Sequence, residues 1–481
     1  MKRAKAGVKY RDLREYLEIL ESKRLLKRVK TEVDLRHEIG AICAMSLDRR
    51  GPALLFENIK GYRGIPLVCN ILSTTAQLAL VFGAEADEEK IYSRIVHGME
   101  NRIPSATQGS GPCKEEIYRG NDIDLYKFPT PVWHELDGGQ YVGTTAGCVT
   151  KDPKTGIHNM GSYRVMIKDR TTLAANIKGS HPVGERPSSS LRLSGGAVHH
   201  ILQNEAKGLP TPIALAMGMD PLLTLASGTP VPADDKGQTE YEAAGGWRGA
   251  ATELVRCETS DLLVPANAEI IIEGEVVANV RTAEGPHGES TGFYGENKEG
   301  FQIKVNCITH RKNPISYGLI CRVFEDYPRT LLRSGSFQSL LIRKNGLRNI
   351  RQAYLPEVGR LGMVIISAKI GDAGEPRRIM RAAWENGGAR WVIVVDEDCD
   401  VRDWNDVMWR VCSAADPKKD IIEGLARAPR SRMEGEFDPP SCGMGIDATM
   451  RFKETKFPPV NEVSRELMSK VVSRWREYRL D

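Results

Sequence analysis

At Asp122 the chain changes rhythm. Beyond it, short apolar runs at Thr144–Thr150, Ser162–Ile167, Pro212–Met217, Glu269–Val280 and Ile303–Ile308 are separated by clusters of Gly, Pro, Asp and Asn. Runs of this length and punctuation read as strands. They predict a mainly β middle domain of barrel type, with helical insertions over Gly195–Lys207 and Tyr241–Arg248. The flanks differ. Upstream, Leu13, Tyr16, Leu17 and Leu20 mark a first helix and Asp34–Ala44 a second. Ala53–Phe56 and Ile65–Val68 follow as short strands, then a helix around Ala76–Phe82. This small α/β unit ends near Pro104, before a Gly- and Ser-rich loop at Ser105–Pro112. Downstream, apolar runs at Leu361–Lys369 and Trp391–Val395 alternate with helical patterns at Glu375–Asn386 and Asp403–Val411. That order predicts a parallel βαβ unit. It has no G-x-G-x-x-G, so no dinucleotide site is indicated.

Within the β region one stretch stands out: Arg281 to Tyr294, R-T-A-E-G-P-H-G-E-S-T-G-F-Y. Glu284 and Glu289 flank Gly285-Pro286-His287-Gly288. Pro fixes one φ and Gly permits positive φ, so the stretch reads as a tight, rigid turn that aims two acids at one small volume. Paired carboxylates in different surroundings titrate apart, which suits acid/base work. A solvated surface turn with two ordinary acids has the same spacing.

Composition excludes several classes. The 481 residues suffice for two or three domains with real cores. A net charge of +4, from 67 basic and 63 acidic residues, argues against a nucleic-acid partner. Met1–Lys9 is basic, but Tyr10–Lys30 is charged and amphipathic, unlike a signal core. No stretch is apolar enough for a membrane span, so no membrane insertion is expected. The ten cysteines include no C-x-x-C pair, which points away from a zinc knuckle or a disulfide framework and toward a reducing cytoplasm.

Asn159-Met160-Gly161-Ser162-Tyr163-Arg164 presents an amide and a guanidinium around a small-residue turn. Arg binds carboxylate or phosphate through both oxygens at once, although a structural Arg has the same signature. His181 lies in a loop, and His199 and His200 fall in a helix where they are structural. Glu240 opens a helix, where its charge suits the dipole. An Asn oxygen, a His nitrogen and a Glu oxygen together suit Mn2+ or Mg2+. Lys369 ends a strand beside Gly371 and could meet a phosphate or face solvent. Val463, Leu467, Val471, Trp475 and Tyr478 share one face of a terminal helix that docks on its own domain or on a second subunit.

Taken together, these residues resemble the UbiD family of decarboxylases. The matching segments are Asn159-x4-Arg164, His181, Glu240-Tyr241, Glu253–Cys257 with Asp261–Ala266, Glu284-Gly285-Pro286-x-Gly288-Glu289 with Thr291–Tyr294, Val395–Val407 and Gly445–Thr449. The resemblance covers essentially the whole chain. It implies an α/β and α+β multidomain protein: an N-terminal α/β region over 1–110, a flavin-reductase-like split β-barrel over 111–311, a helical linker over 312–345 and a C-terminal α/β oligomerisation domain over 346–481. It also implies prenylated FMN, supplied by a partner flavin prenyltransferase, and a homodimer or higher homo-oligomer. By position, Asn159, His181 and Glu240 look like ligands of a divalent metal, usually Mn2+, which often acts with K+ to hold the cofactor phosphate. Ser162, Tyr163, Arg164, Ser180 and Lys369 join them in the cofactor site. Arg164, Glu284 and Glu289 look like the family's catalytic Glu-Arg-Glu network, with Glu289 as proton donor. The implied reaction is reversible, non-oxidative decarboxylation of a small carboxylic acid.

Two departures bear on substrate. Ser180 precedes His181 where the alkenyl-acid branch has Gln, which favours aromatic or heteroaromatic acids over α,β-unsaturated ones. His287, inside the Glu pair, either reaches a polar ring substituent or faces solvent. The alternatives are a polyprenyl hydroxybenzoate decarboxylase of ubiquinone biosynthesis or, from another class, a flavin oxidoreductase on the same barrel.

Overall fold

A computed structural model of the protein describes residues 8–177, 196–229, 231, 237–289, 292–321, 327–359, 362–386, 389–426, 441–450, 452, 456–458, 461 and 463–478. The first unit runs α1 (Leu13–Ser22), β1 (Leu26–Val29), α2 (Glu38–Asp48), β2 (Ala53–Phe56), β3 (Leu67–Cys69), α3 (Thr75–Phe82) and α4 (Glu88–Glu100). Asp12 caps α1 by accepting from Glu15 N at 2.9 Å, and the helix buries the four predicted residues, Leu13, Tyr16, Leu17 and Leu20. α2 starts later than Asp34. Asp34 accepts from Arg36 N at 2.8 Å, and Glu38 reaches back to Asp34 N at 2.7 Å, so these residues form the turn before the helix.

The central region carries β4 (Ala106–Gln108), β5 (Glu116–Arg119), β6 (Gly147–Lys151), β7 (His158–Ser162), β8 (Arg164–Ile167) and β9 (Thr172–Asn176). Then come α5 (Ala197–Glu205), β10 (Thr211–Met217), α6 (Pro221–Ser227), α7 (Glu240–Arg248), β11 (Glu253–Arg256) and β12 (Leu263–Pro265). The long hairpin of β13 (Ile270–Gly288) and β14 (Tyr294–His310) completes it. The sheet order is β7-β6-β10-β13-β14-β9-β8, with β5 also on β14. Its end strands, β7 and β8, are separated in sequence by Tyr163 alone, so the sheet curls back toward itself. No ladder joins them, and among the described residues the barrel is not closed. The inner face is apolar, with Val142, Cys148, Val165, Leu173, Ile213, Leu215, Ile272, Ile303 and Ile308 buried in one cluster.

The hairpin corrects the sequence reading. Residues 284–288 are not a tight turn but the bulged end of β13, paired with β14 through Glu284↔Asn297, His287↔Gly295 and Gly288↔Tyr294. The turn comes after them and closes through Glu289 N to Phe293 O at 2.9 Å. Gly and Pro punctuate bulges as well as turns. Gly285 takes φ +111°, and the Gly285–Pro286 peptide is cis.

After β14 the chain returns to the first sheet through β15 (Ser316–Tyr317), giving the order β1-β2-β3-β15. α8 (Tyr327–Asn345) leads to β16 (Ile350–Tyr354), β17 (Met363–Ala368), α9 (Glu375–Glu385), β18 (Trp391–Asp396), α10 (Trp404–Ala414), β19 (Ile421–Ala426), β20 (Ser441–Asp447) and α11 (Arg465–Ser473). β17 and β18 pair in parallel, as the βαβ pattern predicts, in a sheet ordered β16-β17-β18-β20-β19. The stripe on α11 is not covered by the described residues of this chain: Val463, Leu467 and Trp475 are exposed. No described helix is long and apolar enough to cross a membrane.

Candidate active site

Arg164 opens β8, where the two ends of the curled sheet approach each other. Glu284 comes from the bulged end of β13 and Glu289 from the residue after it. The sheet brings all three together. Arg164 Nη1 donates to Glu289 Oε1 and Nη2 to Glu284 Oε2, each at 2.5 Å. Glu284 is fully buried, while Arg164 and Glu289 keep 13% of their side-chain surface. Burial works against the Arg164 charge, but the Glu284 and Glu289 carboxylates outweigh it and lift its pKa. Removing one partner of such a buried pair costs about 3–5 kcal/mol, because the other charge is left uncompensated.

Two neighbours complete the network, and neither has a sequence motif. Asn176 faces Arg164 in the β8–β9 register. With its amide oxygen toward the guanidinium it accepts from Nε at 3.2 Å and Nη2 at 2.6 Å. Tyr141 donates to Pro286 O at 3.2 Å. Burial, and then the charge of Glu284, push the Tyr141 phenol far above its usual range, so it stays protonated. Glu284 Oε1 is buried with no hydrogen-bond partner. The approach of Arg164 and Glu289 depends on Gly295, since a Cβ there would lie 2.9 Å from Arg164 Nη1 and 3.0 Å from Glu289 Oε1.

His287 does not face solvent. It is fully buried, and its ring stacks on Tyr141 with centroids 4.2 Å apart. Asp137 ties this region to the preceding loop. It accepts from Trp133 N, His134 N and Gly288 N at 3.1, 2.9 and 2.8 Å. Burial raises its pKa, but His134, His287 and the Gly288 N–H together hold the carboxyl well below its usual range.

Asn159 and Glu240 are linked through Met160, the residue after Asn159. Asn159 lies on β7 and Glu240 opens α7, with Glu240 Oε2 accepting from Met160 N at 3.1 Å. Burial pushes the Tyr163 phenol up, and the nearby Cys148 and Glu240 add to it. Ser162 stands opposite Gly147 in the β6–β7 register. Burial raises the Glu240 carboxyl to about 7, against hydrogen bonds that lower it. Ser180 and His181 lie outside the described residues. Lys369 is not drawn into either group. It is exposed just past β17, bonded through its backbone to Asn349.

The chemistry available is specific. A guanidinium between two carboxylates can receive a third carboxylate, and a partly exposed glutamic acid beside it can deliver a proton. Family models match most of the chain. Those describing the N-terminal, Rift-related and C-terminal domains of 3-octaprenyl-4-hydroxybenzoate carboxy-lyase match residues 17–98, 105–322 and 335–448. Among solved structures, the chain is similar to an evolved dimeric form of the UbiD-class enzyme HmfF from Pelotomaculum thermopropionicum, in complex with prFMN. The identity is 29%, the TM-score 0.79, and the match covers 95% of this chain and 100% of that one. It is likewise similar to vanillic acid decarboxylase of Sedimentibacter hydroxybenzoicus, with 27% identity, TM-score 0.82, and 98% and 99% covered. The 3,4-dihydroxybenzoic acid decarboxylase of Enterobacter cloacae shares the fold at 21% identity and TM-score 0.78, with 96% and 99% covered. The chain belongs to the UbiD family of carboxy-lyases.

Proposed function

We propose that this protein catalyses the reversible, non-oxidative decarboxylation of an aromatic or heteroaromatic acid using prenylated FMN. The observation that carries the reading is the buried Glu284–Arg164–Glu289 network. The similarity to HmfF, solved with prFMN, and to vanillic acid decarboxylase supports the cofactor and the substrate class. When bound, the modified flavin supplies the electron sink that an sp2 carbanion otherwise lacks. Arg164 binds the substrate carboxylate. Glu284 and Asn176 fix the guanidinium, and Glu289 returns a proton to the carbon that loses CO2. In the carboxylation direction Glu289 takes that proton away.

The residues present fit a cation beside the cofactor. Glu240 is a buried carboxylate with no Lys or Arg paired to it among the described residues, and Asn159 stands next to its hydrogen-bond partner Met160. With His181 they would hold a divalent metal of the Mn2+ class, with K+ alongside, at the flavin phosphate. Ser162, Tyr163 and Ser180 are the remaining proposed flavin contacts, and Lys369, exposed beyond β17, stays outside them. The curled sheet is then a split barrel of the flavin-reductase kind. A flavin prenyltransferase supplies the cofactor in the cytoplasm, and the C-terminal domain over 346–481 joins copies into a dimer or larger homo-oligomer.

The test is a panel of aryl, heteroaryl and alkenyl acids, including vanillic and 3,4-dihydroxybenzoic acids, with protein made alongside a flavin prenyltransferase. CO2 release from a ring acid, absent when the protein carries plain FMN, supports the reading. Equal turnover with plain FMN and a nicotinamide reductant would replace it with an oxidoreductase.

A further inference from the structure

Beside the catalytic network lies a group of side chains that the decarboxylation does not use. We propose that His134, Asp137 and His287 form a binding site for a first-row divalent cation, zinc above all, separate from the one proposed for Asn159, His181 and Glu240. Among the described residues, their ligand atoms form the one such His, Cys, Asp or Glu cluster, all within 4.8 Å of one another.

The spacing suits a small ion. His134 Nδ1 lies 3.4 Å from Asp137 Oδ2, and His287 Nδ1 lies 3.6 Å from Asp137 Oδ1. Bonds of about 2.0–2.2 Å at tetrahedral angles place neighbouring ligand atoms roughly 3.3–3.6 Å apart. An independent observation points to a ligand. His287 is fully buried, its Nδ1 is aimed at Asp137, and neither of its ring nitrogens has a hydrogen-bond partner. Nδ1 of His134 is buried and unpartnered as well. Each such orphan costs about 1–3 kcal/mol, and the two Nδ1 atoms approach Asp137 without hydrogen-bonding it, so they can share one partner. One cation bound by His134 Nδ1 and His287 Nδ1 would satisfy two of them.

The surroundings are those of a supported site. Three backbone N–H groups hold the Asp137 carboxylate, and the Tyr141 ring fixes the plane of His287. Outer contacts of this kind orient metal ligands. Gly288 admits His134, because a Cβ there would meet Nδ1 at 2.4 Å. His134 keeps 23% of its side-chain surface, which gives the ion an entry side and leaves room for a water as fourth ligand. Two imidazoles and one carboxylate favour zinc over the harder Mg2+. The ion would clamp the loop 133–137 onto His287 and Gly288, directly before Glu289.

The test counts metal on the full chain carrying its flavin. Protein stripped by a chelator is dialysed against graded Zn2+, and bound zinc is measured by mass spectrometry. Wild type should hold one more zinc per chain than His134→Ala, whose affinity at this site should fall on the order of a hundredfold or more. His134→Cys, which restores a zinc ligand, should regain it. Glu240→Ala, compared with flavin-free wild type, should keep it, which separates this site from the proposed flavin-phosphate metal. His287→Phe, with circular dichroism to confirm folding, should lose it. Because His134 is partly exposed, its variants test the idea even where the buried substitution disturbs the fold. Equal zinc content and affinity in wild type and His134→Ala would overturn the proposal.

Discussion

Replacing Gly295 with alanine places one methyl group against the catalytic ion pairs. Gly295 has no left-handed backbone, so alanine is allowed by conformation and only the space is contested. The added Cβ would lie 2.9 Å from Arg164 Nη1, 3.0 Å from Glu289 Oε1 and 3.4 Å from its Cδ. Carbon atoms sit comfortably about 3.5–4.0 Å from such neighbours, so the pair must retreat by roughly half an ångström or more. A misplacement of about 1 Å can cost on the order of a hundredfold in rate. The expected loss in kcat is therefore about tenfold to a hundredfold. Overpacking should also lower stability by about 1–3 kcal/mol. Asn159 and Glu240 lie on other strands and helices, so flavin and metal content should not change. The assay is kcat and KM of loaded enzyme, with flavin absorbance and thermal melting on the same sample. Wild-type kcat with wild-type flavin content would refute the placement of Arg164 and Glu289 in the reaction.

Three further outcomes follow from the same structure. Glu240→Ala should lose bound divalent metal and flavin together, measured by metal analysis and absorbance, because the carboxylate supplies much of the charge that holds the ion. His200 bonds Thr150 at 2.8 Å in a buried setting, and burial holds its pKa down to about 4. The unfolded chain then binds more protons, so this contribution is intact above about pH 6.5 and is lost as pH falls toward 4. The loss is roughly 3 kcal/mol, and His200→Gln should flatten that part of a denaturant-midpoint profile. Trp475→Asp on the exposed stripe beside α11 should yield a smaller species by light scattering, because a second copy covering it would bury a charge at a cost of several kcal/mol.

Much of this was legible in the chain. The strand punctuation after Asp122, the first helix and the βαβ unit all follow from apolar period. The spacing of the two glutamates and of Arg164 marks them as candidates, but only the resemblance to the UbiD family joins them in one network. What escaped depends on pairing across the sheet. Asn176 reaches Arg164 only through the β8–β9 register, and Tyr141 reaches Pro286 O beside the network from a loop with no motif of its own. Gly285-Pro286 reads as a turn because local sequence does not reveal that β14 pairs with it. His287 looked as apt for solvent as for a site, and only its place between Tyr141 and Asp137 shows that it is buried.

The most direct test is proton delivery by Glu289. Glu289→Gln keeps size and hydrogen bonding but removes the transferable proton. With flavin and metal still bound, turnover should fall by about two to four orders of magnitude, the usual scale for general acid catalysis. The measurement is incorporation of solvent deuterium into product by the loaded variant. Wild type should exchange the ring hydrogen at the position of the lost carboxylate, and Glu289→Gln should not. Wild-type-like exchange in the variant would mean that another group or a water delivers the proton, and Glu289 would lose its role.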